Sequence, residues 1–262
     1  MAVAPQVVVG VDGSEEALHA VRWGVARARR LGRGLRIVHA FPWPLIRSPG
    51  GARAERPIGA RLHADAEEIV ADARGIVPDD VPVDGEVVIG FPYPALLDEA
   101  EKAESLLVGS RGLGGVGALL IGSTGVELAA RARCPVIVLP FDTAGGRDGP
   151  DRIVIGDDGS PGARPAVAWG VAEARGLGVP AVVIEALRDG ERPRSVIPPG
   201  GVARETPYGH PAERLIEAAG ENAMIVVGSR GRGGFRGLLL GSTGQTVLHH
   251  ARCAVAVVRE GR

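Results

Sequence analysis

The sequence predicts an α/β protein built from two tandem domains, each an open five-stranded parallel sheet with flanking helices. First, residues 108–125 recur as residues 227–244, and both copies read Gly-Ser-Arg-Gly, nine residues, Gly-Ser-Thr-Gly. Second, VVVGVDGS at 7–14 matches IVIGDDGS at 153–160. Third, strand patterns alternate with helical patterns, an order typical of a parallel sheet covered by helices.

The elements of domain 1 follow from its hydrophobic pattern. Residues 7–11 are an all-apolar run of the kind found in buried parallel strands, and Ser14 is placed to cap the next helix. Further strands are predicted at 35–40, 83–89, 106–108 and 135–139, and further helices at 61–74, 94–103 and 123–132.

The chain length also suits two domains. Its 262 residues allow two units close to the common domain size of about 100–150 residues. We assign residues 1–141 to domain 1, residues 142–150 to a linker and residues 151–262 to domain 2.

Domain 2 repeats domain 1 with a deletion. Asp12 and Asp158 lie 146 residues apart, whereas Gly109 and Gly228 lie 119 apart, so domain 2 lacks 27 residues between these landmarks. Residues 187–201 are too few and too proline-rich for a helix with its loops. We therefore expect that the second domain lacks one helix.

The composition excludes some classes of function. A net charge of −1 argues against a general attraction to nucleic acid or to an anionic membrane. No apolar run reaches the length of a membrane span and no charged-then-apolar leader opens the sequence, so we expect a cytoplasmic protein. Cys134 and Cys253 show no CxxC spacing and are expected to be buried thiols in a reducing compartment.

The glycine segments have the features of a phosphate-binding loop. In an open α/β sheet, ligands bind beyond the carboxyl ends of the strands, where residues 10–13, 88–91 and 109–124 should meet. Glycines let the backbone approach an anion, and a helix that starts at Ser123 offers free N–H groups and a favourable dipole. Asp12, at a strand end, suits a ribose hydroxyl or a magnesium ion. A tight turn without a ligand is the alternative.

These residues resemble a known family. GSRG, nine residues, then GST is similar to the G-2x-G-9x-G(S/T) nucleotide motif of universal stress proteins, and VGVDGS and CPVIVLP also resemble that family. The motif is specific when the first-strand Asp is present, as it is in both copies. The resemblance covers nearly the whole chain and implies two tandem Rossmann-like (adenine nucleotide alpha-hydrolase-like) domains.

The resemblance also implies an ATP site in each domain, with Mg²⁺ as a further expected ligand. In domain 1 it would use Gly10, Val11, Asp12, Val38, Val88, Gly109, Arg111, Gly112, Gly115, Gly122, Ser123 and Thr124. In domain 2 it would use Gly156, Asp157, Asp158, Gly228, Gly231, Gly234, Gly241, Ser242 and Thr243. Asp12 and Asp158 would face the ribose or hold Mg²⁺, while Val38 and Val88 would line the adenine pocket. Arg111 could contact phosphate, but we expect a solvated loop position for it at least as much.

Domain 2 departs from this pattern in two places. Pro207 stands where Val88 stands in domain 1, and Asp157 replaces Val11. An additional carboxylate beside the adenosine could bind metal or repel phosphate, and the missing helix could leave the outer wall open. We therefore expect one well-formed ATP site and a second site with weaker or altered binding.

The leading hypothesis is a nucleotide-dependent regulator of the stress response, with an adenine nucleotide and an unidentified regulatory protein as partners and no nucleic-acid or membrane partner. Family members often dimerise through the last strand, so residues 136–139 could pair with 254–258 inside one chain; a homodimer is a further expectation. Two alternatives stay open. One is a slow ATP hydrolase, although the histidines show no triad-like arrangement. The other is a nucleotide-free scaffold that docks partners on residues 113–121 and 232–240.

Overall fold

Strands and helices alternate along both halves of the chain. The computed structural model describes residues 4–42, 52–110, 122–140, 148–194, 198–232 and 240–259, with the backbone alone at 52–59. In domain 1 the strands are β1 (Val7–Gly10), β2 (Leu35–Phe41), β3 (Val83–Ile89), β4 (Ser105–Gly109) and β5 (Val136–Leu139), and the helices are α1 (Glu15–Leu31), α2 (Ala52–Gly75), α3 (Pro92–Ala100) and α4 (Ser123–Arg131). In domain 2 the strands are β6 (Arg152–Gly156), β7 (Ala181–Ile184), β8 (Ala203–Glu205), β9 (Ala223–Gly228) and β10 (Ala254–Val258), and the helices are α5 (Ala163–Leu177), α6 (Pro211–Ala219) and α7 (Ser242–His250).

The ten strands of the described residues form one continuous sheet in the order β3-β2-β1-β4-β5-β10-β9-β6-β7-β8. Strands within a domain run parallel. The two domains join where β5 and β10 pair antiparallel, with Ile137 opposite Ala256. The α/β class is therefore confirmed, and the structure shows the last strands paired inside one chain.

Helices cover both faces of this sheet, as predicted. Helices α1, α2 and α5 contribute to one apolar cluster, which includes Val21, Ala73 and Val171. Helices α3, α4, α6 and α7 contribute to the opposite cluster, which includes Leu128 and Val247. The chain thus buries apolar side chains on both faces, which explains the all-apolar strands of the sequence.

Helix α1 has the ends that the sequence predicts. The Oγ of Ser14 accepts a hydrogen bond of 3.2 Å from the N–H of Ala17, and Glu15 lies in the first turn, where its charge favours the helix dipole. Gly32 ends the helix in the left-handed conformation, at a φ of 61°.

Helix α2 is longer than predicted. It begins at Ala52 rather than at residue 61. Pro57 lies in its second turn, where a proline removes a single backbone hydrogen bond close to the helix start. Ala66 and Val70 of this helix are buried, and both lie within the predicted part of it.

The described residues between β7 and β8 (185–194 and 198–202) contain no α-helix, and the one helical element there is a 3₁₀ turn at Pro199–Gly201. The second domain thus lacks the counterpart of α2 in its described part, as the 27-residue deletion predicts. Among the described residues, no helix combines the length and the apolar character that crossing a membrane requires.

Candidate functional site

A cavity of about 280 Å³ lies at the carboxyl edge of the domain 2 sheet. It opens between β6 and β9, where the strand order of domain 2 reverses. Open α/β sheets bind ligands at this topological switch point. Eight predicted residues line it: Gly156, Asp157, Asp158, Gly228, Gly231, Gly241, Ser242 and Thr243. The ninth, Gly234, lies outside the described residues.

The glycine loop approaches the rest of the site closely. A Cβ on Gly228 would lie 2.4 Å from the carbonyl oxygen of Gly162, so a larger residue at position 228 would push against fixed backbone. The N–H of Gly241 donates to the carbonyl of Ser229 at 2.9 Å, which holds the start of α7 against the end of β9. No side chain caps α7, and the first N–H groups of a helix have no partner within it. The first residues of α7, Ser242 and Thr243, line the cavity.

Asp158 links the two loops of the site. One carboxylate oxygen accepts the N–H of Ser160 at 2.9 Å, and the other accepts the N–H of Arg232 at 2.6 Å. In the described part of the chain, no group of three or more His, Cys, Asp and Glu side chains could hold a metal ion. A Mg²⁺ at Asp158 would thus depend on oxygens of the bound ligand, as is usual for this ion in phosphate sites.

Asp157 belongs to a partly buried cluster of two acids and two arginines, in which Glu185 is the buried member. Its Oδ2 lies 3.0 Å from Arg194 and 3.0 Å from Arg204. Arg204 also reaches the buried Glu185 at 2.8 Å, and Arg194 donates to the same carboxylate. Burial alone would raise the pKa of Asp157, but the N–H of Gly159 and the two arginines hold that pKa below its ordinary value.

This pairing bears on one of the two alternatives left open for Asp157, the repulsion of phosphate. Asp157 does not face the site as an uncompensated negative charge, because Arg194 and Arg204 neutralise it. The side chain therefore supplies little repulsion toward a phosphate.

The same cluster covers the turn that α2 covers in domain 1. Gly13 and Gly159 are equivalent and both have positive φ, 86° and 77°. A Cβ on Gly13 would meet Ile69 of α2 at 3.3 Å, whereas one on Gly159 would lie 2.1 Å from Arg194. Arg194 thus packs against this turn in domain 2, where Ile69 of α2 packs in domain 1.

The rest of the lining divides into an apolar side and a charged rim. The apolar residues include Ile184, Ala186 and Leu215, and the charged residues that sequence reasoning missed include Arg188 and Glu191. Arg188 stands at the position of Pro42 in domain 1 and Arg232 at that of Leu113. The deletion concealed Glu191, because residues 189–194 have no clear counterpart in the repeat. Pro207 is absent from the lining.

In domain 1 the described site residues meet at the corresponding edge. The Oδ1 of Asp12 accepts the Oγ–H of Ser14 at 2.6 Å and the N–H of Ser14 at 3.1 Å. The N–H of Gly122 donates to the carbonyl of Ser110 at 2.7 Å, which places Ser123 and Thr124, at the start of α4, beside the end of β4. A Cβ on Gly10 would lie 3.2 Å from Val108, directly before Gly109.

The three valines assigned to the adenosine are mostly part of the core. Val38 is fully buried and Val88 is partly buried in one apolar cluster, whereas Val11 belongs to the cluster on the opposite face. The carbonyl of Val11 accepts a hydrogen bond from Nδ1 of His39 at 2.8 Å. An adenine-lining role for these side chains stays a prediction. Arg111, Gly112 and Gly115 lie outside the described residues.

A family model described as the universal stress protein family matches residues 5–140 and 200–259. The chain belongs to this family. A universal stress protein of Mycobacterium tuberculosis is 32% identical to it over 97% of both chains. The crystal structure of a universal stress protein from Archaeoglobus fulgidus has a TM-score of 0.71, covers 98% of both chains and is 17% identical, so it shows the fold. Another from the same organism, in complex with dAMP, covers 52% of this chain and 98% of its own with 20% identity and a TM-score of 0.41.

The two cysteines of this universal stress protein lie away from the cavity lining. Cys134 and Cys253 occupy equivalent positions before β5 and β10, and both are free and buried. Burial raises the pKa of each thiol to about 12. At neutral pH they are therefore protonated and behave as small apolar side chains.

Proposed function

We propose that this chain is a cytoplasmic ATP-binding universal stress protein that acts as a nucleotide-dependent regulator. One observation carries the proposal: the cavity of domain 2 is lined by eight of the nine residues that the sequence assigned to that site, Gly234 being the one not described. Its volume of about 280 Å³ lies just below the range of about 300–1,000 Å³ that is common for small-molecule sites. The free, buried cysteines fit a reducing compartment.

The lining residues suit the phosphates, the ribose and the base of a nucleotide. Ser242 and Thr243 offer hydroxyl donors at the start of α7, where the helix dipole favours an anion. Asp158 offers carboxylate oxygens for a ribose hydroxyl or for a Mg²⁺ shared with the phosphates. The apolar side chains of Ile184 and Leu215 offer a surface for the adenine base.

Both domains are proposed to bind nucleotide, and the altered binding expected in domain 2 takes a specific form. Arg188 and Arg232 add positive charge at positions where domain 1 carries Pro42 and Leu113. Domain 2 should therefore depend more strongly than domain 1 on the number of phosphates in its ligand.

Binding, rather than hydrolysis, is the proposed activity. The carboxylate of Asp157 is paired with two arginines, and that of Asp158 accepts two backbone N–H groups. Neither acid is placed as a free general base, and no histidine is among the residues that line the described cavity. A regulator would use the bound nucleotide to alter a surface that an unidentified protein recognises.

The decisive experiment is release of bound nucleotide from purified full-length protein. The protein is denatured, the supernatant is separated by ion-exchange chromatography, and absorbance identifies the nucleotide. Isothermal titration calorimetry with ATP then gives the stoichiometry. The proposal expects ATP and as many as two sites; absence of both released nucleotide and calorimetric binding would overturn it, and steady conversion to ADP would replace it by the hydrolase.

Variants assign each site to a domain. Asp158→Ala is expected to remove binding in domain 2 and Asp12→Ala to remove it in domain 1. Asp80→Ala serves as the matched control, because Asp80 pairs with Arg29 on the exposed surface and lines no described cavity. A binding loss equal in all three proteins would point to an indirect effect.

A further inference from the structure

Arg27 of α1 and Glu173 of α5 occupy equivalent positions in the two domains and contact each other. They lie 146 residues apart, the offset that relates Asp12 to Asp158. Nη1 of Arg27 lies 2.5 Å from Oε1 of Glu173. The two domains are related by a local two-fold axis, because Ile137 and Ala256, which are also equivalent, face each other in the β5–β10 pair. In such an interface residue i contacts residue j and j contacts i, so positions near the axis meet their own counterparts.

This contact is buried and part of a network. Arg27 is 6% exposed and Glu173 is 7% exposed. Arg27 also bonds Glu104 of its own domain at 3.0 Å and the Oγ of Ser105 at 2.8 Å, and its guanidinium lies 5.2 Å from the ring centroid of Trp169. A charge buried to this extent is stable only with its partner present.

A second pair of equivalent positions shows the same asymmetry. Arg30 pairs with Glu173 and stands opposite its own counterpart, Gly176. A Cβ on Gly176 would lie 2.5 Å from Nη1 of Arg30, so the glycine provides the room that the arginine fills. Across the two-fold axis, a positive side chain of domain 1 thus faces a negative one of domain 2, and a large side chain faces a glycine.

We propose that this interface, the domain seam formed by α1, α5, β5 and β10, is specific for one domain 1 with one domain 2 and rejects pairs of like domains. Two copies of domain 1 would bring Arg27 against Arg27 and Arg30 against Arg30. Two copies of domain 2 would bring Glu173 against Glu173. Like charges buried against each other are strongly unfavourable, so the seam fits its own chain or a complementary domain 2, and a homodimer through like domains is rejected.

The test uses the full-length protein cut once. A specific protease site is inserted into the linker, residues 142–150, and native mass spectrometry weighs the complexes after cleavage. Cut wild-type protein is expected to give complexes with one domain of each kind. Pairs of like domains at a comparable level, or complete dissociation, would overturn the proposal.

Charge reversal makes the test specific. Arg27→Glu and Glu173→Arg are each expected to weaken the mixed pair at least tenfold after cutting. Glu173→Gln, which keeps the side-chain shape, is expected to weaken the mixed pair less than the reversals do. Asp80→Ala, at an exposed pair, is expected to leave the mixed pair unchanged. If Glu173→Gln leaves the association unchanged, the charge does not decide the pairing.

Mixing the two cut reversal variants, one of them ¹⁵N-labelled, provides the rescue. Domain 1 of the Arg27→Glu protein should now pair with domain 2 of the Glu173→Arg protein. Glu104 remains beside position 27, so the regained association should exceed that of either variant alone while staying below wild type. No gain over the separate variants would overturn the proposal; circular dichroism of each cut variant confirms that it is folded.

Discussion

Arg204 stands on β8 at the position that Gly85 holds on β3. Arg204 pairs in register with Val183, and Gly85 pairs with Ile37, the counterpart of Val183. Gly85 is where α2 packs on the sheet: a Cβ there would lie 2.7 Å from Val70. Where the helix is missing, an arginine replaces the glycine, and its charge is matched by Asp157 and the buried Glu185. The same sheet face is thus covered by an apolar helix in one domain and by an ion-paired cluster in the other.

The cluster makes Arg204 important for the stability of domain 2. Arg204→Ala would leave the partly buried Asp157 and the buried Glu185 with Arg194 as their remaining cationic partner. Removing one partner of a buried ion pair costs about 3–5 kcal/mol, and the remaining arginine should reduce this to about 2 kcal/mol. Urea unfolding monitored by circular dichroism measures the change. Arg29→Ala, at an exposed pair, should change stability much less, because solvent screens that pair.

Position 85 in domain 1 should not tolerate a larger side chain, because α2 packs directly on it. In Gly85→Val the new side chain would collide with Val70 and with Arg74. Overpacking of this kind costs about 1–3 kcal/mol. Thermal unfolding of the variant should show a lower Tm. Gly75→Val, at the exposed end of α2, is a control, since no atom lies within 4 Å of a Cβ there and its φ is not positive; a larger loss at position 75 would contradict the steric argument.

The sequence predicted the fold almost completely, because its signals were local. All-apolar strands, the Ser14 cap and the doubled glycine segment each identify an element without knowledge of its neighbours. The count of deleted residues likewise located the missing helix. What the local signals did not show is the environment of Asp157, because its partners Arg194 and Arg204 are 37 and 47 residues away in sequence. Arg194 lies where the repeat no longer aligns, and Arg204 stands where domain 1 has a glycine.

The basic rim of the domain 2 cavity predicts dependence on phosphate charge. Arg188→Ala should lower the affinity of domain 2 for ATP by about threefold and its affinity for AMP less, since an exposed charge contributes about 0.2–1 kcal/mol. Calorimetry in an Asp12→Ala background isolates domain 2. The difference should shrink as salt rises. Arg192→Ala, an exposed neighbour outside the lining, is the matched control, and equal losses for ATP and AMP would refute a phosphate contact.

The buried thiols predict loss of stability at alkaline pH. Burial raises the pKa of Cys134 and Cys253 from the ordinary value of 9.0 to about 12. The folded protein therefore keeps protons that the unfolded chain releases, so their contribution is complete below about pH 9 and is lost as pH rises toward 12. The free energy of unfolding should fall by about 1.4 kcal/mol per pH unit for each thiol at most.

A double variant separates the thiols from other groups that titrate in this range. Replacing both cysteines by alanine removes the ionisable sulfur atoms while keeping small side chains, so the alkaline slope should become shallower even if the stability at pH 7 is lower. Labelling provides an independent measurement: a thiol reagent should modify both cysteines only at the rate of unfolding, because Cys134 is 6% exposed and Cys253 is 1% exposed. Rapid labelling of the folded protein at pH 7 would contradict both the burial and the raised pKa.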